Sequence, residues 1–175
     1  MSIRLVLGGA RSGKSAFAES AAQATGLTRH YIATSRIYDQ AYAARIDLHR
    51  QSRGGDWILH EEPVALAEKL VEIARTDRVV LVDCLTLWLT NLLLDNMDIA
   101  AAFDGLEDCL PQLSGTIIFV ANEVGLSVAP ETKLGNDFRD WAGLLNQRVA
   151  GFADQVEFIA AGLPLTLKRQ DCRLR

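Results

Sequence analysis

The apolar run IRLVL (residues 3–7) passes directly into GGARSGKS (residues 8–15), and this junction restricts the fold more than any other feature of the chain. Gly8, four intervening residues, Gly13, Lys14 and Ser15 complete the pattern G-x-x-x-x-G-K-[ST]. Such a loop works where a buried strand feeds the start of a helix. Glycines let backbone N–H groups turn inward around a phosphate without interference from a Cβ. The helix beginning near Lys14 directs its positive end at the anion. Lys14 then reaches the β and γ phosphates, and Ser15 can ligate Mg²⁺. Gly8, Gly9, Ala10, Arg11, Ser12, Gly13, Lys14 and Ser15 are therefore the candidate nucleotide-binding loop. The pattern leaves the reaction open, because kinases, motors, switches and transporter subunits share it.

The rest of the chain alternates between strand and helix signals. Apolar, β-favouring runs predict buried strands at 3–7, 29–34, 79–82, 116–120 and 156–160, with a short strand at 57–59. Residues 163–167 read as an edge strand turning back after Gly162. Helices are predicted over 14–24, 42–50, 85–94 and 99–110, over 63–75 with Pro63 at the first helical position, and over 131–153 with a break near Gly135 or Gly143. Strands that are apolar throughout and alternate with helices imply a mainly parallel sheet covered on both faces. The expected fold is α/β: one P-loop domain spanning residues 1–175, with no internal repeat, linker or low-complexity tract.

Composition narrows the function. A formal net charge of −4 argues against a general nucleic-acid binder. Cys84, Cys109 and Cys172 lie far apart without a CxxC pair, as expected for reduced thiols in the cytoplasm. The N-terminus lacks the shape of a signal peptide. The most apolar segment, LTLWLTNLLL (residues 85–94), is too short to span a bilayer. It carries enough apolar surface either to fill the core or to face another subunit, and both readings stay open.

Two further positions bear on chemistry. Asp83 closes the strand VVLV, so its carboxylate emerges at the carboxyl edge of the sheet, where ligands of open α/β sheets bind. There it can hold Mg²⁺ or cap the following helix. Glu123 follows TIIFVAN in the same way, with a weaker claim. His49 lies in RIDLHR, among Arg45, Arg50 and Arg53. Nearby positive charge favours a neutral, nucleophilic imidazole, and the arginines can hold phosphates. On the residues alone, a surface histidine on a solvated helix is the more ordinary reading. His30 and His60 read as strand-end residues without a further role.

The set of motifs resembles a known family. GGARSGKS is followed by YIATS (residues 31–35), RIDLHR (45–50), WILHE (57–61) and DCLTLWLTNLL (83–93). NEVG (122–125), PE (130–131), FRD (138–140), NQR (146–148) and AGLPLTLK (161–168) complete it. In order and nearly end to end, these resemble the bifunctional adenosylcobinamide kinase / adenosylcobinamide-phosphate guanylyltransferases. The resemblance implies a recombinase-like P-loop fold and a homotrimer. It implies phosphorylation of adenosylcobinamide by ATP or GTP, then transfer of GMP from GTP to the product, with release of pyrophosphate. A guanylylated histidine carries the second step, and His49 matches it. Ala33, Thr34, Ser35, His49, Arg50, Gln51, Ser52, Arg53, Glu61 and Asp83 match the family's further nucleotide contacts. The chain departs from the family at Asp39, Gln40 and Ala41, where an acidic run is frequent, and at Thr132 and Lys133, where Asn and Arg are frequent. Two other classes make different predictions. A plain P-loop kinase would not need His49, and a nucleotide switch would bind GTP tightly and turn over slowly.

Overall fold

The structure, a computed structural model, describes residues 1–36 and 56–169. The helix expected at 42–50 lies outside these residues, as do His49 to Arg53 and Cys172. Among the described residues, seven strands form one sheet: β1 (Ser2–Gly8), β2 (Thr28–Ala33), β3 (Trp57–Glu61), β4 (Arg78–Asp83), β5 (Thr116–Asn122), β6 (Gln155–Ala160) and β7 (Leu163–Lys168). Their order is β3-β2-β4-β5-β1-β6-β7. Every pair is parallel except β6–β7, where the chain turns back through Ala161 and Gly162, both at positive φ. The helices are α1 (Lys14–Gln23), α2 (Leu66–Ile73), α3 (Leu85–Leu94), α4 (Ile99–Cys109) and α5 (Lys133–Phe152), with a 3₁₀ turn at Leu110–Gln112. This is the expected mainly parallel α/β architecture.

The central strands are apolar on both sides because both faces are covered. One face packs Val6, Tyr31, Val79, Leu81, Ile118 and Val120 under α1, whose Ala18 and Ala22 are fully buried. Alanine there lets the helix approach the sheet closely, which fixes the loop that precedes it. The opposite face holds Ile3, Leu5, Ile32, Val80, Val82, Ile117 and Phe119 under the remaining helices. Trp88, Phe103 and Trp141 form an aromatic cluster within that layer, Phe103 tilted against Trp88 and edge-on to Trp141.

Two expectations change, and one of the two readings left open for α3 is borne out. Pro63 does not open α2. The Glu62 carboxylate instead accepts hydrogen bonds from the backbone N–H of Val64 and Ala65, and the helix begins at Leu66. That turn satisfies backbone donors ahead of the helix. Neither Gly135 nor Gly143 breaks α5, which runs unbroken for 20 residues from its N-cap Thr132. Gly135 packs against Pro130, where a Cβ would come within 2.6 Å of the proline ring. Finally, α3 faces the core. Leu85, Trp88, Leu89 and Leu92 are buried, and the Trp88 indole N–H donates to the Val64 carbonyl at 2.7 Å. The apolar surface of LTLWLTNLLL is thus consumed within the chain, with Leu94 left exposed.

Candidate active site

Strand register assembles the site. Ala33 sits opposite both Glu61 and Asp83, and Gly8 sits opposite Asn122. The last residues of β1 to β5 are therefore Gly8, Ala33, Glu61, Asp83 and Asn122, along one carboxyl edge. Ligands of open α/β sheets bind along that edge.

Gly8 to Ser15 form the loop that the sequence predicts. Gly13 stands at the N-cap of α1 with φ 97° and ψ 4°, a left-handed conformation that glycine adopts without penalty. A Cβ on Gly8 would lie 2.5 Å from Ser12 Oγ and 2.6 Å from the Ile159 carbonyl, so only glycine fits. The turn closes through Ser12 N–H to the Gly9 carbonyl at 3.3 Å. The Lys14 ammonium donates to the same carbonyl at 3.1 Å. The β6–β7 turn buttresses the loop, with Gly162 N–H donating to the Ser12 carbonyl at 2.8 Å. Ser12 Oγ is buried and has no hydrogen-bond partner among the described residues. An orphaned hydroxyl donor inside a glycine loop suits a phosphate oxygen.

A second cluster lies across β2 and β4. The Tyr31 hydroxyl donates to Asp83 Oδ2 at 3.0 Å. The next helix is N-capped by Cys84 without a side-chain cap, so Asp83 does not serve as a helix cap. Asp83 stands half-buried at the edge. Thr34 is fully buried and clamps the neighbouring backbone: its hydroxyl donates to the Cys84 carbonyl at 2.7 Å and accepts from the Cys84 N–H at 2.8 Å. The Asn91 amide donates to the carbonyls of Thr34 and Pro63. Thr86 Oγ accepts from Asn122 N–H at 2.7 Å, and the Asn146 amide donates to the Asn122 carbonyl. Beyond Ser35, Arg36 forks onto Asp95 and holds that carboxyl below its usual range. Ala33 and Ser35 are half-buried and Glu61 is exposed at the end of β3. Glu123, the weaker of the two carboxylate candidates, accepts from Gly125 N–H at 2.6 Å through Oε1.

Tyr31, Asn91 and Thr86 are positioning residues that sequence patterns did not single out. Tyr31 meets Asp83 only because β2 pairs with β4 and not with its successor alone. Burial, and secondly the Asp83 carboxylate, push the Cys84 thiol up to about 12, so it is no nucleophile. His30 and His60 are not independent strand-end residues: their rings stack at 5.2 Å, with Nδ1 of His30 2.9 Å from Nε2 of His60.

This fold and this loop define a nucleotide-binding P-loop protein of the α/β class. Structural comparison agrees on the fold. The flagellar accessory protein FlaH from Methanocaldococcus jannaschii aligns over 96 % of this chain and 78 % of that one, with a TM-score of 0.53 at 13 % identity. A prototypical ATPase from the type III secretion system of pathogenic bacteria aligns over 94 % and 56 %, with a TM-score of 0.56 at 13 % identity. Sequence comparison goes further: the chain belongs to the family described as cobinamide kinase / cobinamide phosphate guanyltransferase, which it matches over residues 4–167. It is 48 % identical over 166 residues to the bifunctional adenosylcobalamin biosynthesis protein CobP of Pseudomonas aeruginosa, covering 94 % of this chain and 96 % of that one. It is 36 % identical to the bifunctional adenosylcobalamin biosynthesis protein CobU of Escherichia coli, covering 94 % and 98 %.

Proposed function

We propose that this chain phosphorylates adenosylcobinamide with ATP or GTP and then transfers GMP from GTP to the phosphate it has made. The observation that carries this reading is the intact phosphate loop, with the orphaned Ser12 hydroxyl, at the sheet edge that also presents Asp83. The family match supplies the substrate.

Phosphoryl transfer needs positioning and charge stabilisation more than covalent help. Gly8 to Ser15 cradle the triphosphate, and Lys14 moves from the Gly9 carbonyl to the phosphate oxygens. Ser15 and Asp83 offer hydroxyl and carboxylate oxygens, the hard donors that suit Mg²⁺ alongside phosphates and water. Bound there, Mg²⁺ would neutralise charge on the β and γ phosphates. Tyr31 orients the Asp83 carboxylate, and the Thr34 clamp fixes the backbone next to it.

Guanylyl transfer joins two anions, which a nucleophile divides into two easier displacements. We assign that role to His49. Its nitrogen forms a bond to the α-phosphorus of GTP as the bond to the leaving pyrophosphate breaks. The phosphate of the corrinoid then displaces His49, giving adenosylcobinamide-GDP. Arg45, Arg50 and Arg53 balance charge in both steps. Ala33 to Ser35, Gln51, Ser52 and Glu61 are assigned as further contacts of the nucleotide. We place this activity in the cytoplasm, on one P-loop domain of residues 1–175, in a homotrimer.

The test is Lys14→Ala, assayed for phosphorylation of adenosylcobinamide and for formation of its GDP adduct. Both fall by at least about a hundredfold when the triphosphate is no longer held. Near-normal turnover of either would place the site elsewhere.

A further inference from the structure

β5 stands between β1, which feeds the phosphate loop, and β4, which ends in Asp83. Its last residue is Asn122. Ile118 and Val120 pack on the α1 face of the sheet, so strand alternation puts the Asn122 side chain on that face as well. Asp83 shares the face as the register partner of Val120. Gly8 shares it as the register partner of Asn122, and a Cβ on Gly8 would point at Ser12 of the phosphate loop. Neighbouring strands lie about 4.8 Å apart. The Asn122 side chain therefore starts one strand from the phosphate loop and one strand from Asp83.

The backbone here is held firmly. Asn122 N–H donates to Thr86 Oγ at 2.7 Å, and its carbonyl accepts from the Asn146 amide at 3.3 Å. The next N–H, of Glu123, donates to the Gly8 carbonyl at 3.1 Å. These bonds leave the half-buried Asn122 carboxamide without a hydrogen-bond partner among the described residues. An amide with two free N–H donors on a fixed backbone is preorganised for an anionic acceptor.

We infer that the Asn122 carboxamide donates to the γ-phosphate of the bound nucleoside triphosphate. Lys14 reaches the β and γ phosphates from the β1 side, and Asp83 faces them from β4. The terminal phosphate then lies in front of β5. A nucleoside diphosphate presents no oxygen there, so Asn122 distinguishes the phosphoryl donor from its spent product. This deepens the proposed function and rests on the phosphate loop holding a triphosphate.

The test is equilibrium binding, at saturating Mg²⁺, of two probes that differ only in the terminal phosphate: α,β-methylene GTP and α,β-methylene GDP. The methylene bridge blocks loss of pyrophosphate, so neither probe guanylylates the chain. Isothermal titration compares the parent, Asn122→Ala and the isosteric Asn122→Asp. Alanine should weaken the triphosphate at least about tenfold, the effect of removing a hydrogen bond to a charged group. It should leave diphosphate affinity within about twofold and the urea midpoint near the parent's, because backbone groups make the bonds that fix this stretch. Aspartate keeps the shape and sets negative charge against the phosphate, so it should bind the triphosphate more weakly than alanine does. A parent-like ratio of triphosphate to diphosphate affinity in Asn122→Ala overturns the assignment. So does parent-like triphosphate binding by Asn122→Asp, since shape alone would then suffice. A parent that binds neither probe refutes the phosphate site and this contact with it. If the ratio falls as expected while the parent fails to phosphorylate adenosylcobinamide, the γ-phosphate contact stands and the kinase reading fails.

Discussion

Thr34→Val tests whether the site's backbone is held as described, because it changes one hydroxyl and little volume. The hydroxyl donates to the Cys84 carbonyl and accepts from the Cys84 N–H, and the residue is fully buried. The carbonyl keeps a second partner after the change, the Trp88 N–H at 3.1 Å. The Cys84 N–H loses its partner and remains buried, at a cost of about 1–3 kcal/mol, and the lost second bond adds about 1 kcal/mol. The new methyl group returns about 1 kcal/mol. The net loss is about 2 kcal/mol, or about 4–8 °C in Tm for a chain of this size. Thr34→Ser keeps the hydroxyl and loses a buried methyl, about 1 kcal/mol. Urea unfolding followed by circular dichroism should therefore rank parent, serine, valine in falling stability. Valine more stable than serine would refute the clamp.

Other outcomes follow from the same geometry. Asp83→Asn retains an oxygen for the Tyr31 hydroxyl and loses the charge, so the Mg²⁺ concentration for half-maximal kinase activity should rise on the order of tenfold with the fold intact. An unchanged Mg²⁺ dependence would remove Asp83 from the metal site. Burial pushes the Cys109 thiol up to about 11 and Cys84 to about 12, so Cys84→Ser and Cys109→Ser should each leave unchanged the number of thiols that react rapidly with a disulfide reagent in the folded protein. Loss of a fast-reacting thiol in either variant would contradict their burial. His30 and His60 are both held below the ordinary value of 6.5, first by burial, then by Arg78 for His30 and by Lys69 for His60, with Asp77 and Glu72 opposing. The unfolded chain then binds more protons, so the stability from this pair is present above about pH 6.5 and is lost as pH falls. Urea midpoints from about pH 7.5 to about pH 5.5 should fall more steeply for the parent than for His30→Asn/His60→Gln. Parallel slopes would count against the pair.

The phosphate loop was legible because its chemistry is local: two glycines, a lysine and a serine act within eight consecutive residues. Strand ends were nearly as plain, since each apolar run stops at a polar residue or glycine, and Asp83 could be placed at the edge on that basis. The strand order could not be read. Tyr31 reaches Asp83 and Thr34 reaches Cys84 through the β2–β4 pairing, across about fifty residues of chain. The histidine pair was missed for the same reason, His30 and His60 being brought together by adjacent strands 30 residues apart. Glycine misled the reading of α5, because Gly135 serves close packing against Pro130 rather than a break. The Leu-rich α3 shows that an apolar segment alone does not tell a core helix from an interface.

The central claim is that one site performs phosphoryl transfer directly and guanylyl transfer through His49. The most direct measurement incubates parent and His49→Ala with α-labelled GTP and Mg²⁺. Acid-labile label on the chain is followed together with phosphorylation of adenosylcobinamide. The parent should acquire label, and the variant should acquire none while keeping at least part of its kinase activity, because direct transfer of the γ-phosphoryl group needs the loop and the cation and no protein nucleophile. Label on His49→Ala at the parent's level, or adduct formation at the parent's rate, would contradict the account.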